Sequence, residues 1–560
     1  MLKIKKMMHR DFDGSPVVPA LIVAVLITAL AIELYIFARV QDIWLDESTQ
    51  LSGIRLNFWD MLRWLAGADP DRLSVPADRM PPVSYLLDWL WLHLYGPSEI
   101  GFRLFHSALV IVGISWLASV VWRELGQLAT IVTLGFLILS PKLIQAGVEI
   151  RAYPIFFAVT CAQTAVFIRL VACPVKIDLK LLALFTAICL VAIYTHYFGL
   201  VSSCAFFLAL GISFLGSFAA LAEIIGAFVV VAIGSLPLIP FVSAATHVPL
   251  FVPATATTAT IRDENAVVQY LTYLLKLVGD SANIVSVSAS ILFFCGTIAL
   301  LAASFVATVI RVRKRDLKPF DWLILVVVSG VFATILASFF VTFNPLTASY
   351  SIWLLAPLSL LIAAGATSIT GFRSWDVAGR KVAVGALLVG AGISNYMFFV
   401  HASMFVHGPQ RFVGALYDKT IGPKAIVYET GAAWGWSFIP LQFTHHGDVV
   451  QYWTPEGGDG LVKAGRLGIK TTVEEMEAAV APYQVLLLTD IRLRTYRDLR
   501  QCQNQPSACP DFPSGAIEAA LIGTGTWRRA GKERSFGLYD SQVTILERAE
   551  KQLPNLISNQ

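Results

Sequence analysis

The chain has 560 residues, of which 56% are hydrophobic and 14% are charged. Soluble globular domains carry about 25% charged residues, so this composition excludes an ordinary soluble protein and predicts a polytopic α-helical membrane protein in contact with lipid. The net charge of +4 is small for this length and its basic residues are spread over many loops. No nucleic-acid partner is therefore expected.

The N-terminal segment predicts both an anchor and an orientation. Four basic residues, Lys3, Lys5, Lys6 and Arg10, precede an apolar run at Val17–Val40. This run is longer than the core of a signal peptide, so it is expected to remain as the first membrane helix. The basic residues are expected to stay in the cytoplasm.

About eleven apolar segments resemble transmembrane helices in length and composition. They lie near residues 17–40, 104–122, 126–144, 152–170, 181–197, 199–222, 224–243, 283–310, 322–343, 350–370 and 382–400. With a cytoplasmic N-terminus, basic connections such as 311–318 also fall in the cytoplasm, as the positive-inside rule requires. The odd count places the loop after Val40 and the C-terminal tail on the opposite face, which is the periplasm if the organism is a Gram-negative bacterium.

The first outward loop, 41–102, is predicted to contain two surface helices. Residues 51–65 place Leu51, Ile54, Met61 and Leu65 on one helical arc, as in an amphipathic helix lying on the membrane. A second apolar stretch at 81–95 begins with two prolines, which suit the start of a helix because its first turn leaves backbone donors unpaired anyway.

The composition changes after the last apolar segment, which predicts two domains. Residues 1–404 are assigned to the membrane domain and residues 405–560 to a periplasmic soluble α/β domain. The soluble domain contains short strand-like runs at 425–428 and 485–489, a helix-like segment at 472–481 and further strand patterns within 536–546.

Two adjacent carboxylates, Asp46 and Glu47, stand where the first membrane segment returns to water. Ionisable side chains at a membrane surface are costly to desolvate and need a reason. One reason is a catalytic role for the two carboxylates. The alternative is that Asp46 precedes a helix and caps it.

Five outward-facing motifs come in a characteristic order. They are Trp44-Leu45-Asp46-Glu47, Arg79-Met80-Pro81-Pro82, Tyr95-Gly96 with Arg103, Glu149-Ile150-Arg151-Ala152-Tyr153 and Thr195-His196-Tyr197. Over about the first 370 residues this pattern resembles membrane-embedded glycosyltransferases of the GT-C fold. These include bacterial transferases that move aminoarabinose or other sugars onto lipid A and, more distantly, protein O-mannosyltransferases.

The resemblance implies an integral-membrane glycosyltransferase acting in the bacterial inner membrane. It would use a polyprenyl-phosphate sugar donor and a glycolipid, polysaccharide or protein acceptor on the periplasmic side. Asp46 is then expected to be the general base that takes the proton of the acceptor hydroxyl. Glu47, which points elsewhere because it is the adjacent residue, is expected to orient the acceptor or Asp46.

The donor phosphate needs positive charge and hydrogen-bond donors. Arg151 offers a bidentate fork, and Arg79, Tyr153, His196 and Tyr197 are further candidates for binding phosphate or sugar. The alternatives are an Arg151 that pairs with lipid headgroups or Glu149, and a His196 that only anchors the interface.

The chain departs from the family at two positions. Many relatives carry Lys or His directly before the two prolines, where this chain has Met80, and many carry arginine where it has Ser349. Arg79 is expected to substitute for the first cation, with Arg72, Arg103 and Arg151 as alternatives that share the charge.

No metal site or cofactor is predicted, because no cluster of histidines and cysteines has ligand spacing; a requirement for a divalent metal is left open. Two other functions also fit the many helices. One is a transporter or flippase of lipid-linked sugars, although such proteins usually show internal repeats. The other is a non-catalytic family member that acts as a partner subunit, which the residues Met80 and Ser349 suggest.

Overall fold

Helices dominate the first 400 residues of the computed structural model. It describes residues 17–43, 45–69, 80–172, 177–247, 287–337, 349–368, 378–402, 406, 410–429, 449–452, 472–493, 516–535 and 539–549. The helices in this part are α1 (Val17–Val40), α2 (Leu45–Gly53), α3 (Phe58–Leu65), α4 (Pro82–Tyr95), α5 (Glu99–Glu124), α6 (Gln127–Ile138), α7 (Pro141–Gly147), α8 (Ala152–Val171), α9 (Leu179–Thr195), α10 (Phe198–Ser213), α11 (Phe218–Ser235), α12 (Ile239–His247), α13 (Val287–Arg313), α14 (Leu323–Ala337), α15 (Leu355–Ser368) and α16 (Ala378–Val400).

Six helices among the described residues are long and apolar enough to cross a membrane. They are Val17–Val40, Glu99–Glu124, Ala152–Val171, Phe218–Ala245, Ile291–Arg313 and Pro319–Ala337. The pair α6 and α7, bent by 69°, passes the same test if it is counted as one span. Shorter apolar helices lie at Leu179–Thr195, Phe198–Ser213, Ile352–Thr367 and Val384–Val400. Each predicted apolar segment thus overlaps a described helix, although the segment 199–222 extends past the end of α10 into the start of α11. The number of helices that cross the membrane stays a prediction.

Small residues let the helices that carry the candidate site approach closely. A Cβ placed on Gly113 of α5 would lie 2.7 Å from the Cα of Ala158 in α8. Helices without a hydrophobic driving force between them pack through such contacts of small residues. This approach packs α8, whose first turn contains Tyr153, against the helix that contains Arg103.

The first outward loop contains three described helices where the sequence predicts two. The predicted helix at 51–65 is interrupted, and Asn57 starts α3 by accepting a hydrogen bond from the backbone N–H of Asp60 at 3.0 Å. Asparagine favours this N-cap position over a helix interior because its side chain replaces a missing backbone acceptor. The second predicted helix is confirmed as α4.

The apolar arc of this loop faces the protein, which corrects the expected contact with lipid. Leu51, Ile54, Met61 and Trp64 are fully buried in the core that also contains the membrane helices. Trp59 on the opposite side is 71% exposed. The periodicity therefore predicted an amphipathic surface correctly, but a helix pattern does not tell whether lipid or protein covers the apolar side.

The described residues after 410 include a five-stranded sheet. Helix α17 (Gln410–Lys419) precedes β1 (Lys424–Glu429) and β2 (Val449–Tyr452), followed by α18 (Val473–Val480), β3 (Val485–Leu493), α19 (Ala516–Gly523), β4 (Trp527–Ser535) and β5 (Tyr539–Arg548). The strand order is β2-β1-β3-β5-β4; β1 pairs in parallel with β2 and β3, while β5 pairs antiparallel to β3 and β4. A separate apolar cluster packs on this sheet.

The predicted strands at 425–428 and 485–489 and the helix at 472–481 are present as β1, β3 and α18. Strand β4 was missed because its sequence, Trp-Arg-Arg-Ala-Gly-Lys-Glu-Arg-Ser, is polar and its side chains are mostly exposed. An edge strand of this kind lacks the apolar alternation that marks a half-buried strand. The domain boundary at 404 and 405 stays a prediction.

Candidate functional site

Asp46 and Glu47 lie in the first turn of α2, which begins at Leu45. Asp46 is therefore inside the helix rather than in front of it, which is not the position expected of a capping residue. The side chain of Asp46 lies outside the described part of the structure. Acidic residues suit this turn because the helix dipole places partial positive charge there.

Glu47 forms a buried, bidentate ion pair with Arg103 of α5. Its two carboxylate oxygens accept hydrogen bonds from Nη1 and Nη2 of Arg103 at 2.8 and 2.9 Å. One of them, Oε1, also accepts the backbone N–H of Ile150 at 2.8 Å, and both side chains are fully buried. Glu47 thus ties α2 to α5 and to the turn that precedes α8, which suits the positioning role expected for it.

Arg103 uses its donors within the protein. Besides Glu47, its Nη1 donates to the carbonyl of Val148 at 3.0 Å and its Nε donates to Glu99 Oε1 at 2.9 Å. Its side chain is fully buried. These contacts give Arg103 a structural role, which leaves Arg151 as the described arginine among those considered for the donor phosphate. Arg72 and Arg79 lie outside the described residues.

A second buried network, which sequence reasoning missed, holds the other end of α2. Asp88 of α4 accepts hydrogen bonds from Gln50 Nε2 at 2.5 Å and is joined by His106 Nε2 at 2.7 Å. His106 Nδ1 faces the carbonyl of Glu149 at 2.6 Å. Because both ring nitrogens face acceptors, the geometry suits a protonated imidazole. The sequence signal that could have revealed this network is the presence of Asp88 and His106 within apolar segments, because ionisable residues there need partners.

Arg411 connects α17 to the residues just before α2. Its Nη2 donates to Glu99 Oε1 at 2.9 Å, so Glu99 is shared by Arg411 and Arg103. The backbone N–H of Arg411 donates to Asp42 Oδ2 at 2.7 Å, while Asp42 Oδ1 accepts the N–H of Ile43 at 2.7 Å. The residues after 410 thereby contact the charge network that includes Glu99, Arg103 and Glu47.

We expect Asp42 to give the protein a measurable pH dependence of stability. Burial, aided by the carboxylate of Glu99, raises the pKa of Asp42 to about 7, above the unfolded value of ~3.9. Between these values the folded state binds more protons, so this contribution falls as pH rises from ~4 to ~7 and levels off above that range. The thermal midpoint in detergent should therefore fall between pH 5 and 8 more steeply in wild type than in Asp42→Asn.

Asp316 offers the matched control for this measurement, because its side chain is 63% exposed. Asp316→Asn should follow the wild-type slope. Parallel slopes of wild type and Asp42→Asn would show that Asp42 titrates as an ordinary carboxyl group.

The predicted donor-binding residues come together around the start of α8. Arg151 directly precedes α8, Tyr153 lies in its first turn, and His196 and Tyr197 join α9 to α10. The rings of Tyr153 and His196 are 5.5 Å apart, and Arg151 lies within electrostatic reach of His196. The structure thus groups Arg151, Tyr153 and His196, with Tyr197 next to them in the chain.

Tyr350 belongs to the same cluster, although the sequence marked only the position before it. Its ring lies 5.6 Å from that of His196 and 6.3 Å from that of Tyr153. Phe198 adds a further ring contact at 5.5 Å. Aromatic side chains bury large areas in such contacts, and the packing of the rings fixes the direction of their polar atoms.

His196 presents a buried hydrogen-bond donor in this cluster. Its Nδ1 accepts the backbone N–H of Phe198 at 3.1 Å, so the ring hydrogen lies on Nε2 and the imidazole is neutral. Nε2 has no hydrogen-bond partner among the described residues, and the residue is 3% exposed. An unpaired buried donor is costly, which points to a ligand oxygen as its missing acceptor.

Met80, which replaces the cation expected before the prolines, is buried and packs in the apolar core. A search of the described residues finds no group of three or more His, Cys, Asp and Glu side chains that could hold a metal ion. The expected absence of a cofactor stays a prediction.

The comparisons with known proteins give a fold. No protein-family model and no curated protein matches the chain. Among solved structures, ArnT from Cupriavidus metallidurans bound to undecaprenyl phosphate is 13% identical with a TM-score of 0.55, covering 96% of this chain and 99% of ArnT. Its apo form is 14% identical with a TM-score of 0.53, covering 94% and 97% of the two chains.

A third solved structure, the oligosaccharyltransferase of Archaeoglobus fulgidus, is 11% identical with a TM-score of 0.44 and covers 88% of this chain and 70% of its own. That likeness is too low to carry an argument. The two ArnT structures confirm the GT-C fold predicted from the sequence. The match to ArnT also extends through almost the entire chain rather than ending near residue 370, where the sequence resemblance ends.

Proposed function

We propose that this protein is an integral-membrane glycosyltransferase that moves a sugar from a polyprenyl-phosphate donor to an acceptor on the periplasmic side of the bacterial inner membrane. The observation that carries the proposal is the fold shared over nearly the full length with an ArnT structure determined with undecaprenyl phosphate. The clustering of Arg151, Tyr153 and His196 supports it, because these side chains suit a phosphate and a sugar.

In the proposed reaction the acceptor hydroxyl attacks the anomeric carbon of the donor sugar. Asp46 takes the hydroxyl proton, the new bond from acceptor oxygen to carbon forms, and the bond from carbon to phosphate oxygen breaks. The bonding electrons leave with the phosphate, so direct displacement inverts the anomeric carbon. General base catalysis of this kind contributes roughly 10²- to 10⁴-fold to the rate.

The phosphate is the leaving group, and its charge grows during the reaction. A phosphodiester carries one negative charge, whereas the released phosphate monoester carries nearly two at neutral pH, since its second pKa is ~6. Cations and fixed donors that meet this developing charge lower the barrier. Arg151 is the proposed cation, with Arg79, His196, Tyr153 and Tyr197 as further groups for phosphate or sugar.

The first test is transfer by the purified full-length protein in lipid nanodiscs. A polyprenyl-phosphate sugar and a periplasmic glycolipid fraction should yield a glycosylated product detectable by mass spectrometry. A comparison of envelope glycolipids from cells with and without the protein would identify the sugar and acceptor. Movement of the lipid-linked sugar across the bilayer without any glycosidic product would instead identify a flippase.

His196→Phe is expected to weaken donor binding without unfolding the cluster. Phenylalanine keeps the stacking on Phe156, where the ring centroids are 5.0 Å apart. It removes the Nε2 donor and also the Nδ1 acceptor of the Phe198 N–H. Loss of one neutral hydrogen bond of about 1 kcal/mol weakens binding roughly fivefold. Titration of wild type and variant with the polyprenyl-phosphate sugar measures the effect.

His93→Gln is the control, because His93 is an exposed histidine in helix α4 of the first outward loop. It should bind the donor as wild type does. An unchanged dissociation constant in His196→Phe would assign His196 to packing alone.

A further inference from the structure

The backbone of the connection between α7 and α8 is held by side chains from other helices. Four consecutive residues, 147–150, each use one backbone group, a carbonyl in the first three and an N–H in the fourth. The pairs are Gly147 with Ser107 at 3.2 Å, Val148 with Arg103 at 3.0 Å, Glu149 with His106 at 2.6 Å and Ile150 with Glu47 at 2.8 Å. The next residue is Arg151, the cation proposed for the donor phosphate. Its place in the site therefore depends on a turn that α2 and α5 hold.

His106 belongs to a buried ion pair that stability alone does not require. Its Nε2 lies 2.7 Å from Asp88 Oδ1, and both side chains are fully buried. Both ring nitrogens face acceptors, so the imidazole is protonated and the pair carries opposite charges. Apolar side chains of similar volume often stabilise a protein as well as a buried ion pair does. A carbonyl at the end of a helix needs only a neutral donor, such as the hydroxyl that Ser107 offers to Gly147. The pair therefore suits a role in fixing the geometry of the turn.

The same network reaches α2, the helix that contains the proposed general base. Gln50 lies one helical turn after Glu47, and its Nε2 donates to Asp88 Oδ2 at 2.5 Å. Glu47 contacts the turn directly, whereas Gln50 reaches it through Asp88 and His106. Two side chains on neighbouring turns of α2 thus hold this helix to the residues that precede Arg151.

We infer that His106 is a positioning residue for Arg151, and this inference rests on the proposed function. The link from His106 to α2 also fixes the distance between Arg151 and Asp46. In a direct displacement the base acts on the acceptor and the cation acts on the leaving phosphate, on opposite sides of the anomeric carbon. A misplacement of about 1 Å between such groups costs up to roughly 10²-fold in rate. His106 itself is buried and acts only through the backbone of the turn.

Two amide substitutions separate the two hydrogen bonds of His106. His106→Asn places an amide donor near the position of Nδ1 and keeps the bond to the Glu149 carbonyl, whereas His106→Gln places it near Nε2 and keeps the bond to Asp88. His106→Asn should bind undecaprenyl phosphate within about threefold of wild type. His106→Gln should bind it roughly tenfold more weakly, the scale of one charge-assisted hydrogen bond.

The thermal midpoints of these two variants should follow the opposite order. His106→Gln keeps a partner for the buried carboxylate of Asp88 and should be the more stable of the two. A merely structural role would make phosphate binding follow stability. Equal binding by both variants, or weaker binding by His106→Asn, would overturn the inference.

A double-mutant cycle tests whether His106 acts through Arg151. Arg151→Gln removes the cation, so adding His106→Gln to it should weaken undecaprenyl phosphate binding by less than about twofold more. The titrations use the full-length protein in lipid nanodiscs. Losses that multiply in the double variant would show that His106 does not act through Arg151.

Gln50→Met tests the link to α2 and keeps the inference open to refutation if the His106 variants fail to fold. It leaves both contacts of His106 in place and loosens α2 from the turn. The expected result is a fall of roughly tenfold in kcat at saturating donor, with undecaprenyl phosphate binding within about threefold of wild type. Wild-type kcat in Gln50→Met would overturn the inferred link.

His93→Gln is again the control, because His93 Nδ1 also faces a backbone carbonyl, that of Trp89 at 2.8 Å, but the residue is exposed. It should leave phosphate binding and kcat unchanged. Binding of undecaprenyl phosphate needs no sugar transfer, so the two proposals fail separately. Wild-type transfer with equal phosphate binding in both His106 variants would reject only the role of His106. The expected order of binding in a protein that transfers no sugar would reject the proposed reaction and retain the positioning of Arg151.

Discussion

Asp46→Asn is expected to reduce sugar transfer by roughly 10²- to 10⁴-fold, the usual contribution of a general base. Asparagine has almost the same shape but cannot accept the proton of the acceptor hydroxyl. It is also a good residue near the start of a helix, so the thermal midpoint should change little. The measurement is the transfer rate of purified wild type and variant at saturating donor.

The control is Asp60→Asn, which changes the same functional group in the first turn of the neighbouring helix α3. It should transfer sugar at close to the wild-type rate. Equal rates for Asp46→Asn and wild type would remove Asp46 from the mechanism. A large fall in the thermal midpoint of Asp46→Asn would instead assign it to the stability of α2.

Breaking the buried pair between Glu47 and Arg103 should destabilise the protein by roughly 3–5 kcal/mol, whichever partner is removed. Glu47→Leu leaves a buried guanidinium without its bidentate partner, and Arg103→Met leaves a buried carboxylate. Replacing both residues together removes both buried charges and should cost less than either single change. Chemical unfolding of the three variants in detergent measures the difference.

The activity of the double variant separates the two roles considered for Glu47. Recovered folding with recovered transfer would mean that Glu47 only positions α2, whereas recovered folding without transfer would mean that it also acts on the substrate. Asp316→Asn breaks the exposed pair with Lys318 and should cost less than about 1 kcal/mol, since it lies in water. Additive losses in the double variant would contradict a coupled pair.

The membrane helices were predictable because hydropathy and charge are local properties. Each predicted apolar segment overlaps at least one described helix. The fold was inferred from the order of short outward motifs, such as the one that contains Asp46, and the likeness to ArnT confirms it. The same motifs indicated Tyr153 and His196, whose rings lie 5.5 Å apart in the structure.

The sequence predicted the surroundings of a residue less well where they depend on which part of the protein packs over it. The helical arc with Leu51 and Ile54 was expected to contact lipid, but it is buried in the protein core. Glu47 looked available beside Asp46, although both of its oxygens are engaged by Arg103. A periodic pattern specifies an apolar or polar side but does not specify its neighbour.

Composition, apolar length and the charge of the connections determined that this chain is a polytopic helical protein, and the outward motifs indicated where its carboxylates and donors would lie. Only the tertiary structure decided their partners. Glu47 meets Arg103 and Ile150 across 56 and 103 residues of sequence, and Lys142 meets Ser349 across 207. Such contacts are set by helix packing. The sequence around Asp46 and Glu47 therefore does not indicate that Arg103 is the partner of Glu47.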